Sequence, residues 1–225
     1  MKAICHKDHI ALGEEMSIDG DRFHHLVNVM RTKTGDELLL LDGSGRRTLC
    51  EVTSVSKKSL LVRSLKIEQV PRSLSCDVLL FFPKREALES MLKMATEMGV
   101  NNIYLFRGKY SQDKFPDPER VEALLQSAME QSNNPWKPEI ILCQKPEDWP
   151  SHEQTILMDV AGTQATRIDK AKRSLLVIGP EAGFSDDERV TLRSRQSVVE
   201  LSFSTPILRA STALPAGLGW WHGNA

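Results

Sequence analysis

The stretches Ile178-Gly179-Pro180-Glu181-Ala182-Gly183-Phe184-Ser185 and Pro206-Ile207-Leu208-Arg209-Ala210-Ser211-Thr212-Ala213 decide the fold of this chain. Each follows an apolar, β-type run, and each leads into a segment patterned as a helix. Two strand-to-helix loops of that kind, side by side at the end of an α/β sheet, make a binding crevice. Gly179 and Gly183 let the backbone adopt conformations closed to other residues, and Pro180 stiffens the turn. Ser185-Asp186-Asp187-Glu188 reads as a capping box, so the first loop ends at a helix N-terminus with free N–H groups. No Gly-x-Gly-x-x-Gly fingerprint occurs, which disfavours a standard Rossmann loop; the Gly-x-Gly at Gly43 and Gly45 sits in a hairpin turn. Taken alone, these glycines fit a plain βα turn equally well. Arg209 likewise fits either a structural ion pair or a cation held for a ligand carboxylate or an RNA phosphate.

Outward from these loops, residues 76–82, 102–106, 139–143, 155–159, 174–178 and 197–203 read as strands. Several are solidly apolar, as in strands covered on both faces. Between them Leu88, Met91, Leu92 and Ala95 share one helical face, with Gly99 as a C-terminal stop. Asp117-Pro118 is a cap with a first-turn proline, opening a helix that carries Val121, Leu124, Leu125, Ala128 and Met129. Residues 74–225 are therefore expected to form an α/β domain with a mostly parallel sheet. Residues 1–70 read as mainly β, with strands at 37–41, 48–55 and 59–65. Asp42-Gly43-Ser44-Gly45 and Lys57-Lys58 are the turns of a small sheet or barrel with hairpin connections. One short helix is expected at 21–30, with Phe23, Leu26, Val27 and Met30 on one face. Val70-Pro71-Arg72-Ser73 is the expected linker.

The formal net charge of −1 gives no bulk positive field, so any RNA affinity must come from local patches or from shape. No apolar run is long enough to span a membrane, and the first residues lack an apolar signal-peptide core. The four cysteines form no Cys-x-x-Cys pair. A cytoplasmic protein with free, buried thiols is expected. Cys5, His6 and His9 have no second ligand pair nearby, and no metal is expected. There is no Gly-x-Ser-x-Gly elbow for a hydrolase. Trp220-Trp221 reads as core or dimer packing.

Several further landmarks run along the chain. They are His25-Leu26-Val27-Asn28-Val29-Met30-Arg31 with Gly35-Asp36, Asp42-Gly43-Ser44-Gly45, Lys84-Arg85, Glu97-Met98-Gly99-Val100, Glu130-Gln131-Ser132 and Pro138-Glu139-Ile140. With the two loops, this order and spacing resembles the small-subunit ribosomal RNA uracil-N3 methyltransferases of the SPOUT superfamily over nearly the whole chain. The resemblance implies a PUA-like RNA-binding β-barrel at 1–70 and a trefoil-knotted, S-adenosylmethionine (AdoMet) dependent methyltransferase domain at 74–225. It also implies a homodimer whose RNA sites are built from both subunits, acting on ribosomal RNA or the assembled small subunit.

AdoMet would be held largely by backbone groups of three stretches. These are Leu157, Met158 and Asp159; Ile178, Gly179, Pro180 and Glu181; and Leu201, Ser202, Phe203, Ser204, Ile207, Leu208 and Thr212. Uracil N3 must lose a proton and be taken out of pairing. Arg209 is the candidate catalytic cation. Glu130, a water or the RNA itself are candidates for the base. Arg31, Arg46, Arg47, Lys84 and Arg85 are candidate phosphate contacts. The chain departs from the family pattern at Ala182 and Ser204, where glycine is usual, at Pro206 in place of a basic residue, and at Ser211 in place of glutamate. These departures leave one alternative, an RNA-binding ribosome-assembly protein that no longer methylates; a second, transfer to a ribose 2′-hydroxyl or a guanine nitrogen, follows from a knot that those activities share.

Overall fold

A computed structural model describes residues 1–72, 76–111, 115–162, 168–169 and 171–223. The chain divides into two units, Met1–Arg72 with Gln126–Lys137, and Ser73–Leu125 with Pro138–Ala225. Of the expected linker, Ser73 lies outside the described residues.

The first unit holds β1 (Lys2–Cys5), β2 (Glu15–Asp19), α1 (Gly20–His24), β3 (Glu37–Leu41), β4 (Arg46–Val55) and β5 (Ser59–Gln69). They form a five-stranded sheet in the order β1-β3-β4-β5-β2. The expected hairpins β3–β4 and β4–β5 are antiparallel, and two register shifts kink β4 against β5. β1 and β2 are too short and too weakly alternating to stand out in the sequence; β1 joins β3 in parallel. The helix expected over 21–30 is α1 followed by a π-helical turn, His25–Val29, closed by Met30 N–H on His25 O at 3.1 Å. Phe23 and Leu26, three residues apart and so on one helical face, both join the core with Ile4, Ile18, Leu38, Leu40, Val52, Leu60 and Val62. Residues Gln126–Lys137 group with this unit for visible reasons. Met129 packs with Ala3, Cys5 and Leu41, and a Cβ on Gly45 would lie 2.3 Å from the Trp136 ring. Gly45 also needs its φ of 97°, so both space and backbone require glycine there.

The second unit is built on β6 (Cys76–Phe81), β7 (Asn102–Phe106), β8 (Glu139–Cys143), β9 (Gln154–Met158), β10 (Ser174–Ile178) and β11 (Val198–Leu201). These pair in the order β11-β9-β10-β6-β7-β8, every neighbouring pair parallel. The helices are α2 (Arg85–Glu97), α3 (Pro118–Ser132), α4 (Asp186–Arg193) and α5 (Ala210–Gly223), and the last turns of α3 count with the first unit. Alternate strand residues explain why the strands read as continuous apolar runs. Val78, Leu80, Leu176 and Ile178 join one core with Leu88, Met91, Leu92, Leu124, Leu214 and Leu218 of the helices. Leu79, Phe81, Leu175 and Val177 join the other, with Phe184, Leu192 and Trp149. Both faces are covered, as parallel sheets require.

The amino ends of the strands are tied by a buried polar network. The fully buried Asp77 accepts from Asn102 N and Nδ2 at 3.1 and 3.2 Å, and His152 Nε2 lies 2.8 Å from its other oxygen. Arg173 Nη2 also reaches it, at 3.3 Å. Burial alone would push this carboxyl up; the bonds from His152 and Asn102 outweigh it and hold the group below the usual range.

Candidate active site

The carboxyl ends of β9, β10 and β11 are neighbours, because β9 lies between β10 and β11. The backbone leaving each strand therefore enters one place. Together these loops enclose a cavity of about 410 Å³, a volume suited to a small-molecule ligand. Its walls include Met158 and Asp159 after β9, the Gly179 loop after β10, and residues of the 201–208 segment after β11, with Ala210 and Ala213 of α5. Most of the lining residues are apolar or glycine.

The Gly179 loop is braced from several sides. Ser185 caps α4 reciprocally: its Oγ accepts from Glu188 N at 3.3 Å, and its own N–H donates to Glu188 Oε2 at 2.7 Å. The other Glu188 oxygen accepts from Lys109 N at 2.7 Å, which pins the segment after β7 to the same helix. Glu181 Oε1 accepts from Lys84 N at 3.2 Å, at the start of α2. Gly183 has a φ of 74° and donates to Pro180 O at 2.8 Å, closing the turn. Phe184 then drops into the core edge-on to Phe81, with ring centroids 5.0 Å apart.

The expected cofactor stretches meet in this cavity, with three exceptions. Met158, Asp159, Ile178, Gly179, Pro180, Glu181, Leu201, Ser202, Phe203, Ile207 and Leu208 line it. Leu157 does not, because strand alternation sends its side chain into the core on the α4 side. Ser204 is exposed and outside the lining, and Thr212 is exposed on α5 with its N–H bonded to Arg209 O at 2.9 Å. Arg209 immediately precedes α5; its side chain is exposed and makes no hydrogen bond or ion pair with a described residue. Glu130 belongs to the first unit, where its carboxylate accepts from Cys5 N at 2.8 Å. That contact is structural work for a strand-end N–H.

The expected phosphate contacts differ among themselves. Arg46 Nη2 is occupied by Ile10 O at 2.6 Å, and Arg47 pairs with Glu68 at 2.8 Å. Arg85 pairs with Glu89 one helical turn on, at 3.2 Å. Arg31 is exposed in a left-handed conformation, φ 52°, and Lys84 is exposed ahead of α2.

One site feature has no signal in the sequence. Arg189 of α4 lines the cavity, and its Nε donates to Asp159 Oδ2 at 2.8 Å. The two residues are 30 positions apart, and nothing local pairs them.

A cavity at the carboxyl ends of adjacent parallel strands, with glycine-bearing loops and a capped helix start, defines an α/β domain that takes a small ligand. The chain belongs to the RNA methyltransferase domain family, which matches residues 70–222, with an RNA methyltransferase PUA domain matching residues 18–63. It is 28% identical over 229 residues to the ribosomal RNA small subunit methyltransferase E of Bacillus subtilis, covering 92% of this chain and 89% of that one. It is 28% identical over 227 residues to the protein of the same name from Mycobacterium bovis, covering 90% and 84%. Among solved structures, the ribosomal RNA small subunit methyltransferase E from Neisseria gonorrhoeae bound to S-adenosyl methionine has a TM-score of 0.86. It shares 19% identity and covers 99% of this chain and 97% of that one. A putative methyltransferase from Legionella pneumophila, in complex with the same cofactor, has a TM-score of 0.78 at 21% identity, covering 98% and 96%. Of the expected fold, the mostly parallel α/β methyltransferase unit and the PUA-type unit, here a five-stranded sheet, are found.

Proposed function

We propose that this chain transfers a methyl group from AdoMet to N3 of a uridine in small-subunit ribosomal RNA, in the cytoplasm. The observation that carries the proposal is the cavity formed by the loops after β9, β10 and β11. Two relatives alike over most of their length act on small-subunit ribosomal RNA by name, and two structures of like fold hold AdoMet. The cavity fits that cofactor: most of its lining residues are apolar or glycine, with Asp159, Glu181 and Arg189 as its charged side chains. Ala182, where glycine was expected, lies in the lining without closing it.

AdoMet supplies a methyl group activated by its positive sulfur. The residues of this chain bind, orient and exclude water. The braced Gly179 loop and the apolar walls would hold the donor and limit its poses, which would favour displacement by a positioned nucleophile. Arg209, exposed just outside the lining, is the cation for the RNA; it favours the deprotonated uracil by its charge. The proton of N3 leaves to water or to the RNA, since Glu130 is engaged with Cys5. Arg31 and Lys84 are the proposed phosphate contacts with side chains least committed within the protein, and residues 1–70 are the RNA-binding domain.

A homodimer and the trefoil knot belong to the same proposal. The strand order, with β10 between β6 and β9 and β11 beyond β9, supports the knot. Ile207, 82% exposed, and Val160, 68% exposed, line the cavity and offer apolar surface for a second subunit.

The test is nucleoside mass spectrometry of small-subunit RNA incubated with the purified protein and AdoMet. Appearance of 3-methyluridine is expected. Binding of AdoMet without methylation of naked RNA or of assembled subunits would reject the enzyme reading, and a methylated ribose or another base would reject the position. Arg209→Ala is expected to lower the rate at least tenfold with an unchanged melting temperature, because an exposed, unpaired side chain contributes within about 0.5 kcal/mol to stability.

A further inference from the structure

Arg189 is the only cationic side chain among the described residues that line the cavity; the other charged groups there are Asp159 and Glu181. It is not a loose surface arginine. Its side chain is 26% exposed, and its Nε is fixed on Asp159, whose own side chain is only 3% exposed. Asp159 is further held in place, since its other oxygen accepts from Ala161 N at 3.2 Å. The guanidinium carries five N–H donors in a planar fork, and the bond to Asp159 uses only one edge of it. Nη1 lies 3.5 Å from Asp186, whose side chain is fully exposed and screened by water. Nη2 faces the Gly183 turn: a Cβ built on Gly183 would lie 3.6 Å from it. A guanidinium so fixed, with N–H donors left over and lining a cavity, can bond a further anionic acceptor there.

AdoMet carries one anionic group, the carboxylate of its amino-acid end, beside an ammonium. Resting on the AdoMet reading above, we infer that Arg189, held by Asp159, receives the amino-acid end of the ligand: its fork takes the carboxylate, and the Asp159 side chain faces the ammonium. The pair is then a fixed zwitterion matched to the ligand's own. This assigns a side-chain contact within a site whose holding is otherwise ascribed to backbone atoms, and it makes Arg189 a specificity-determining residue for ligands with an intact amino-acid group.

The experiment is calorimetric titration of the full chain with three ligands. AdoMet and S-adenosylhomocysteine carry the amino-acid group; 5′-methylthioadenosine keeps the adenosine and thioether but lacks it. Arg189→Met is expected to weaken the first two roughly ten- to hundredfold, the range of a lost charge-assisted hydrogen bond, and to leave the third within about twofold. Arg189→Lys, which keeps the charge and a partner for Asp159, is expected to recover part of the affinity for the first two. Equal losses for all three ligands would mean that Arg189 only braces β9 against α4, and would overturn the inference; so would unchanged affinity for AdoMet. Failure of the unsubstituted chain to bind any of the three would overturn the AdoMet reading itself, and the inference with it. Should Arg189→Met not fold, Arg189→Lys decides by the same comparison: a loss confined to the two amino-acid ligands supports the inference, and any other pattern overturns it.

Discussion

Gly179 cannot carry a side chain without pressing on Phe184. A Cβ there would lie 3.1 to 3.3 Å from three atoms of the Phe184 ring, and that ring is buried edge-on against Phe81. Gly179→Ala is therefore expected to cost about 1 kcal/mol in urea unfolding and to weaken AdoMet binding measured by calorimetry, since the loop lines the cavity. The need for glycine here is steric and not conformational, whereas Gly183, with its φ of 74°, needs glycine for the backbone. Asp77 makes a different prediction. Its folded carboxyl is held below the ordinary value of 3.8, chiefly against burial by bonds from His152 and Asn102. A depressed acid contributes stability that is present above its unfolded value and lost as pH falls through the folded one. The protein is thus expected to lose stability below about pH 4, as followed by melting temperature. Asp77→Asn is expected to cost about 3–5 kcal/mol at neutral pH, the range for breaking a buried pair, and to flatten that acid loss.

At the scale of elements, α4 matters more than its eight residues suggest. It starts where the Gly179 loop ends, its Glu188 holds both Ser185 and the segment after β7, and its Arg189 reaches the end of β9. The cap was legible in the sequence, because Ser-x-x-Glu is a local signal read within one helical turn. The reach to Lys109 and Asp159 was not, since it depends on which strands lie beneath the helix. Ser185→Ala is expected to destabilise the protein by about 1 kcal/mol and to loosen the loop. The check is a urea midpoint together with an AdoMet titration; normal affinity alongside reduced stability would separate the cap from the site. The expected strand ends moved by only a few residues. β5 differs most, running to Gln69 where 65 was expected; at β11 the regular pairing stops at Leu201, and residues after it leave the ladder to line the cavity.

At the scale of the whole molecule, the net charge of −1 limits how RNA can be held. Attachment must rest on a few local cations, and three of the five expected ones, Arg46, Arg47 and Arg85, are engaged within the protein. Binding to small-subunit RNA is expected to weaken with salt on a shallow slope, with log–log magnitude no steeper than about 3, or roughly 0.7 for each phosphate neutralised on single strands. Filter binding at several salt concentrations measures this; a slope near 8 would mean a broad basic surface that the residues named above do not supply.

The sequence by itself determined the periodicities of this chain. The apolar runs of 174–178 and 139–143, the helical face of Leu88, Met91, Leu92 and Ala95, the Ser185 cap and the glycine loops are set by interactions within a few residues, and each is found as a strand, helix, cap or turn. Its order of landmarks also placed the chain in its family. Only the tertiary structure decided that β9 lies between β10 and β11, so that three loops from distant parts of the chain share one cavity. It also decided that Leu157 turns away from that cavity, that Glu130 is bonded to Cys5, and that Arg189 meets Asp159. Strand order and the Arg189–Asp159 contact across 30 residues arise from burying both faces of one sheet at once, and the Glu130–Cys5 contact across 125 residues from packing within the first unit; no local stretch encodes either.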